Sequence, residues 1–323
     1  MIGVVCLNPA LDVTHHVPAV DWAGVNRPDA VHARPGGKGL NVARTLHVLG
    51  AEVLVLGLAG GSTGEAVTAA LAALAVPAAF TRVREETRRT FTVVDGRTGD
   101  SALFNEPGPR ISAAEYAQFR AGYAGVLAGC AAVVLSGSLP PGLPPGGYAE
   151  LTAMAAAAGV PVLLDAHGEA LRLGAAAGPA IVKPNLAELE MFAGRSLSGA
   201  TGADRPAVAA AARELREAGA GAVVVSLGAE GLHADTGDGC WEAVPPAVVA
   251  GNATGAGDAA AAGLAHGLAL GRPWDERLRH AVALGTASAM ALVAGEFSPA
   301  DYARLLDATV VTRSTAGARG EAV

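Results

Sequence analysis

The sequence predicts an α/β protein, a three-layer sandwich with a central, mostly parallel sheet and a small β-sheet lid. Three observations predict it. Short apolar runs alternate with alanine- and leucine-rich stretches of helical length, the pattern of parallel strands joined by crossover helices. The runs are apolar throughout rather than at every second residue, as strands covered on both faces are. Residues 12–34 and 80–104 depart from this, mixing β-branched and polar residues with turn signals, and predict a small sheet outside the core.

The strands are expected in GVVCLN (3–8), EVLVLGLAG (52–60), AAVVLSGS (131–138), PVLLDAHG (161–168), AIVKPN (180–185) and AVVVSLG (222–228). Helices are expected near 39–49, 65–75, 112–128, 147–158, 186–193, 205–218, 257–270 and 274–293. Leu40, Ala43, Leu46 and Leu49 give the first helix an apolar stripe. The core comprises 1–11, 35–79 and 105–310, the lid 12–34 and 80–104, and residues 311–323 read as a frayed tail. In open parallel sheets ligands bind beyond the carboxyl ends of the strands. Polar residues gather at those ends here: Asn8, Asp12, Ser136, Ser138, Asp165, Lys183, Asn185 and Ser226.

Composition narrows the function classes. The chain has 323 residues, 51% hydrophobic and 16% charged, so it can bury one large core and is not disordered. A net charge of −7 without a basic run argues against nucleic acid as a partner. No uninterrupted apolar run reaches the ~18 residues of a membrane span. MIGVVCLNPALD begins a strand and lacks the charged start of a signal peptide, so a cytoplasmic location is expected. Cys6, Cys130 and Cys240 are too scattered for a disulfide framework or a zinc site, and Cys6 and Cys130, in or beside apolar runs, read as buried thiols. His15, His16 and His167 lack metal-ligand spacing.

Two glycine clusters open helices. In GNATGAGD (251–258), Gly255, Ala256 and Gly257 lead into a helix. Amides at a helix start are unpaired and the dipole there is positive, so the turn suits a phosphate or the charge developing during phosphoryl transfer. Asp258 reads either as a helix cap or as a base for a hydroxyl beside that charge. In RPGGKGLNVARTLHVLG (34–50), Gly36 and Gly37 allow a ligand to approach the backbone, and Asn41 stands one turn on. The phosphate loop G-x-x-x-x-G-K-S/T is absent from the sequence.

These two motifs, with VKPNLAELE and VSLGAEG between them, resemble the ribokinase/PfkB family of carbohydrate kinases. LNPALD, NR, ETR, NEPGP, LSGSLPPGLP, LDAHGEAL and KPNLAEL are similar to its 1-phosphofructokinase and tagatose-6-phosphate kinase branch, in family order between residues 3 and 295. The resemblance implies a ribokinase-like fold and an ATP-dependent, magnesium-assisted kinase of a phosphorylated ketohexose, most simply fructose 1-phosphate. It implies Asp258 as catalytic base and the amides of Gly255, Ala256 and Gly257 as the anion hole. Asp12, Gly36, Gly37, Lys38, Asn41 and Ser138 would hold the sugar, and Arg88, helped by Arg27, its phosphate. Lys183, Asn185, Ser226, Gly228 and Gly231 would hold the nucleotide, with Asn185 and Glu188 positioning Mg2+ mostly through water. A homodimer through the lids is implied as well, consistent with the tendency of edge strands to pair.

The sequence departs from the branch pattern at three places. Ala253-Thr254 precedes GAGD where valine is usual, Ala102-Leu103 replaces a polar pair near the sugar, and His167 stands where serine is common. They leave the reaction type and bear on the acceptor: tagatose 6-phosphate, fructose 6-phosphate, or an unphosphorylated sugar or nucleoside are the alternatives. Two other readings fit the sequence less well. GLAGGSTGE fails the dinucleotide G-x-G-x-x-G pattern because Ala59 holds the first glycine position. A catalytically inactive sugar-binding regulator is opposed by the presence of Asp258, Lys183 and Asn185.

Overall fold

The structure is a computed structural model that describes residues 1–200, 202–246, 254–291 and 295–314. The chain runs β1 (Ile2–Cys6), β2 (Ala10–Val17), β3 (Ala30–Gly36), α1 (Lys38–Val48), β4 (Val53–Gly60), α2 (Gly61–Ala73), β5 (Ala78–Val83), β6 (Arg88–Asp95) and β7 (Ser101–Asn105). It continues α3 (Ala113–Leu127), β8 (Ala132–Ser136), α4 (Gly147–Ala157), β9 (Val162–Asp165), α5 (Gly168–Ala176), β10 (Ile181–Val182), α6 (Leu186–Ala193), β11 (Ser198–Gly199) and β12 (Gly202–Ala203). The last part holds α7 (Arg205–Glu217), β13 (Val223–Ser226), β14 (Leu232–Asp235), β15 (Cys240–Val244), α8 (Ala256–Ala269), α9 (Trp274–Met290), α10 (Pro299–Ala308) and β16 (Val310–Ser314).

Ten strands form the main sheet, in the order β16-β15-β14-β13-β10-β9-β8-β1-β4-β5. From β13 to β5 the neighbours are parallel, and β14, β15 and β16 add antiparallel strands at one edge. Successive side chains of a strand face opposite ways, and β1 uses both faces. Ile2, Val4 and Cys6 pack with Leu40, Ala43 and Leu46 of α1 and with α8. Val5 packs on the other face with Phe119, Tyr123 and Leu151. Helices α3, α4, α5, α6 and α7 thus cover one side, and α1, α2, α8 and α9 the other. A fully buried Leu, Val or Phe contributes about 1.5–3 kcal/mol, so these two clusters carry most of the stability.

After β1, β4 and β5 build out one side of the sheet and β8 pairs on the other. The order reverses between β1 and β8, and such a switch point opens a crevice at the carboxyl ends of the strands. Over this end lies the small sheet, β3-β2-β6-β7. Its central pair, β2 and β6, is parallel and the outer pairs are antiparallel.

Several elements differ from those expected. Residues 80–83 belong to the main sheet rather than the small one, because Ala78–Val83 pairs parallel with β4 and buries Val83 in the core. Strands β14, β15 and β16 and helix α10 were not anticipated. Residues 311–314, expected in the frayed tail, form β16 instead, where Val311 packs into the core and Arg313 stacks on Trp241. The rest of that tail, 315–323, the first part of GNATGAGD (251–253) and the end of the 274–293 helix (292–293) lie outside the described residues. No described helix is long and apolar enough to cross a membrane.

Candidate active site

Helix α8 begins at Ala256 because Gly255 takes a left-handed turn, φ 85°, that L side chains rarely adopt. Gly255 has no side chain to cap the helix, and the amides of a helix's first turn have no partner within the helix. Asp258, in that first turn, is only 7% exposed. Helix α1 opens at Lys38, and its Asn41 donates from Nδ2 to Oδ2 of Asp258 at 2.9 Å. Burial, with the charge of Asp165 nearby, pushes the Asp258 carboxyl up to about 7. Lys38 and Lys183 oppose this rise, as does the bond from Asn41.

Asp165 ends β9 and is fully buried between two ammonium groups, Lys38 Nζ at 3.3 Å and Lys183 Nζ at 3.4 Å. Lys38 also reaches Glu188 Oε1 at 3.1 Å. Burial opposes the charge on Lys38, but Asp165, Glu188 and Asp258 together hold its pKa above the usual lysine value. The result is alternating charge, Glu188, Lys38, Asp165 and Lys183, where the ends of β9 and β10 meet the starts of α1 and α6.

A second set of groups lies toward the small sheet. Asp12, on β2, has its pKa raised by burial and held down by a hydrogen bond from Thr90 and by Arg88 and Arg44. The backbone at Gly36 runs so close that a Cβ there would overlap the Asp12 carboxylate, at 1.9–2.3 Å. Asn8 donates to Ser138 Oγ at 3.1 Å and to the Pro107 carbonyl at 3.0 Å. Arg88 donates from Nε to the Asn8 carbonyl at 3.2 Å and from Nη1 to the Glu106 carbonyl at 3.4 Å, which fixes its guanidinium at the root of the small sheet. Glu86, two residues earlier, accepts from the Thr63 amide at 2.5 Å and so caps α2.

Beyond Lys183, Asn185 and Glu188 close a capping box at the start of α6. Asn185 Oδ1 accepts from the Glu188 amide at 2.8 Å, and Glu188 Oε2 from the Asn185 amide at 2.9 Å. Asn185 also bridges to Ser226 at the end of β13, where the loop through Gly228 and Gly231 begins.

A family model described as pfkB family carbohydrate kinase matches residues 4–300. This chain belongs to the pfkB family of carbohydrate kinases. It is 37% identical over 314 residues to the 1-phosphofructokinase of Rhodobacter capsulatus, covering 97% of this chain and 98% of that one. The fold matches phosphofructokinase-2 from Escherichia coli, 32% identical, over 95% of this chain and 98% of that one. The TM-score is 0.89 for its potassium complex, 0.86 for its complex with fructose-6-phosphate and 0.87 for its tetrameric inhibited form. The pfkB protein described here is therefore an ATP-dependent sugar or sugar-phosphate kinase with a ribokinase-like fold.

Within that frame the sequence-derived residues form two neighbouring groups. Asp258, Asn41, Lys38 and Lys183 join around Asp165, with Asn185, Glu188 and Ser226 alongside. Asp12, Gly36, Ser138 and Arg88 lie at the small-sheet side, with Gly37 capping α1 between the groups. Lys38, expected among the sugar ligands, has its ammonium engaged by Asp165 and Glu188. Arg27 is exposed on the β2–β3 connection, and no ion pair joins it to another described residue. In the sequence Asp165 reads only as a polar strand end, and Asn8 likewise. Their place at the carboxyl ends of central strands was the available signal. Arg44 and Glu296 had none, since each reads as an ordinary surface charge.

Proposed function

We propose that the protein transfers the γ-phosphoryl group of ATP to a hydroxyl of a phosphorylated ketohexose, with fructose 1-phosphate as acceptor and fructose 1,6-bisphosphate as product. The single observation that carries this reading is the buried Asp258 carboxylate, oriented by Asn41 at the N-terminus of α8. A pKa near 7 suits a general base at neutral pH. Asp258 takes the proton of the acceptor hydroxyl, whose oxygen attacks the γ-phosphorus in line while the bond to the β-phosphate oxygen breaks and ADP leaves. The amides of Gly255, Ala256 and Gly257 stabilise the charge on the transferring group, reinforced by the helix dipole.

Lys183 and the Ser226–Gly231 loop serve the nucleotide in this reading. Mg2+, held near Asn185 and Glu188, would neutralise charge on the ATP phosphates. The donor set suits a hydrated ion: Glu188 and Asp165 are hard oxygen donors, and no group of three or more His, Cys, Asp or Glu among the described residues forms a cage. Glu188 and Asn185 would therefore act mostly through water.

Arg88 supports a phosphorylated acceptor. Two of its donors are bound to carbonyls, which holds the fork in one orientation. The relative from Rhodobacter capsulatus favours fructose 1-phosphate, and the fructose-6-phosphate complex of the Escherichia coli enzyme makes fructose 6-phosphate the second candidate. ADP formation across a panel of fructose 1-phosphate, fructose 6-phosphate, tagatose 6-phosphate, fructose, ribose and a nucleoside tests the reading. It fails if an unphosphorylated acceptor gives the highest kcat/KM. Failure of every acceptor would leave the inactive sugar-binding regulator.

The small sheet serves as a lid that excludes water from the transferring phosphoryl group. Its exposed apolar residues, Val31, Leu103 and Phe104, support a homodimer formed through the lids, as does Trp22 at 78% exposure. Catalysis in the cytoplasm fits an ATP-using enzyme with three free cysteines.

A further inference from the structure

Glu296 lies outside every motif of the sequence. It sits between α9 and α10, with a side chain 48% exposed. One carboxylate oxygen accepts from two guanidinium groups, Arg34 Nη1 at 2.5 Å and Arg44 Nη2 at 3.0 Å. Arg34 belongs to β3 of the small sheet, directly opposite Asp12 in register. Arg44 belongs to α1, three residues past Asn41, and is buried.

The residue before it completes the relationship. Gly295 packs on Asn41 so closely that a Cβ would lie 3.0 Å from both the Asn41 Cα and its Oδ1. Two consecutive residues thus touch the asparagine that orients Asp258 and bind the strand that carries Arg34. An exposed ion pair alone contributes little. This one differs because Arg44 is buried, so its attraction to Glu296 is screened less than that of a pair in water. Burial lowers the Arg44 pKa, Glu296 is the strongest influence opposing that, and Arg34 adds to the fall.

We propose that Glu296 is a positioning residue that fastens the small sheet, through Arg34, to the helix that holds Asn41 against Asp258. It sets how the lid sits over the acceptor and touches no substrate itself. The inference rests on reading Asp258 as the base and the small sheet as the lid. It makes Glu296 a determinant of acceptor affinity and of coupling between ATP use and sugar phosphorylation.

The test uses the full chain with Glu296→Ala, Glu296→Gln and Arg34→Gln, and as acceptor whichever panel member has the highest kcat/KM. ADP formation is measured with and without that acceptor. Glu296→Ala is expected to raise the acceptor KM about tenfold, the scale of one charge-assisted hydrogen bond. The ATP KM should stay within about twofold, and acceptor-independent ATP hydrolysis should rise relative to sugar phosphorylation. Glu296→Gln keeps one acceptor oxygen and should give an intermediate effect, and adding Arg34→Gln to it should cost less than Arg34→Gln alone. Equal changes in both KM values, an unchanged coupling ratio, or strict additivity of Glu296→Gln and Arg34→Gln would overturn it. Should Glu296→Ala not fold, the two glutamine variants and their combination decide. Asp258→Asn in the same assay reports on the base separately, since a normal kcat there removes that role whatever Glu296 does.

Discussion

Asn41 donates its side-chain amide to a carboxylate oxygen of Asp258 at 2.9 Å, across 217 positions of sequence. The bond joins the first turns of α1 and α8. It fixes the orientation of the carboxylate without placing a full charge on it. A lysine in that position would hold the acid in its ordinary range. With a neutral amide as its direct partner, burial and the charge of Asp165 win, and the group sits where it can accept a proton near neutrality.

Replacing Asp258 with Asn should lower kcat by about 10²–10⁴ and change both KM values much less, because the side chain stays nearly isosteric. Steady-state kinetics with purified variant check this. Retention of more than about a third of the wild-type kcat would exclude the carboxylate as base.

The raised pKa of Asp258 predicts opposite pH trends for activity and stability. The base is competent only when ionised, so kcat should fall as pH drops through about 7. Between the usual carboxylate value and about 7, the folded state holds a proton that the unfolded state has lost. Stability from this group is therefore full at low pH and is lost as pH rises through about 7. Asp258→Asn should melt higher than wild type at pH 8 and by a smaller margin at pH 5.5. Parallel melting curves at both pH values would contradict the assigned shift.

Glu188→Gln separates a metal role from a capping role. Glutamine still closes the capping box with Asn185, so the melting temperature should hold. Losing the charge next to Lys38 should raise the Mg2+ concentration for half-maximal activity several-fold, the scale of a charge-assisted interaction. A magnesium titration that superposes on wild type would leave Glu188 a helix cap alone.

Arg88→Ala should erase most of the preference for a phosphorylated acceptor, about one to two decades in kcat/KM. The comparison is fructose 1-phosphate against fructose in both proteins. An equal loss for the two sugars would mean that Arg88 only holds the root of the small sheet through the Asn8 and Glu106 carbonyls.

Leu103→Glu with Phe104→Glu should shift the protein to monomer if the small sheets meet in solution. Both side chains lie on β7, an outer strand, and are 60% and 53% exposed. Sedimentation velocity reads the outcome, and an unchanged assembly would place the interface elsewhere.

Much of the fold was legible because its signals are local. The uninterrupted apolar strands, the Leu40-Ala43-Leu46 stripe and the glycine turns before α1 and α8 each depend on a few adjacent residues. The edge strands were harder. In Val310–Ser314 only Val311 is partly buried, and the strand closely follows a helix, so it resembles a tail until β15 is there to pair with it. Ala78–Val83 carries threonine and arginine because one of its edges is unpaired, and that polarity made its second half read as part of the small sheet.

The amino-acid order alone set the central strands and most helices, the family motifs and the position of Asp258 at a glycine-led helix start, since backbone dihedrals and side-chain periodicity are properties of neighbouring residues. Only the tertiary structure decided which charges meet. It put Asp165 between Lys38 and Lys183, turned Lys38 toward Glu188, and joined Glu296 to Arg34 and Arg44. The physical reason is that Coulomb energy and desolvation depend on distance and burial. In this chain both are set by a strand order that brings the end of β9 and the starts of α1 and α6 together, joining residues more than 100 positions apart.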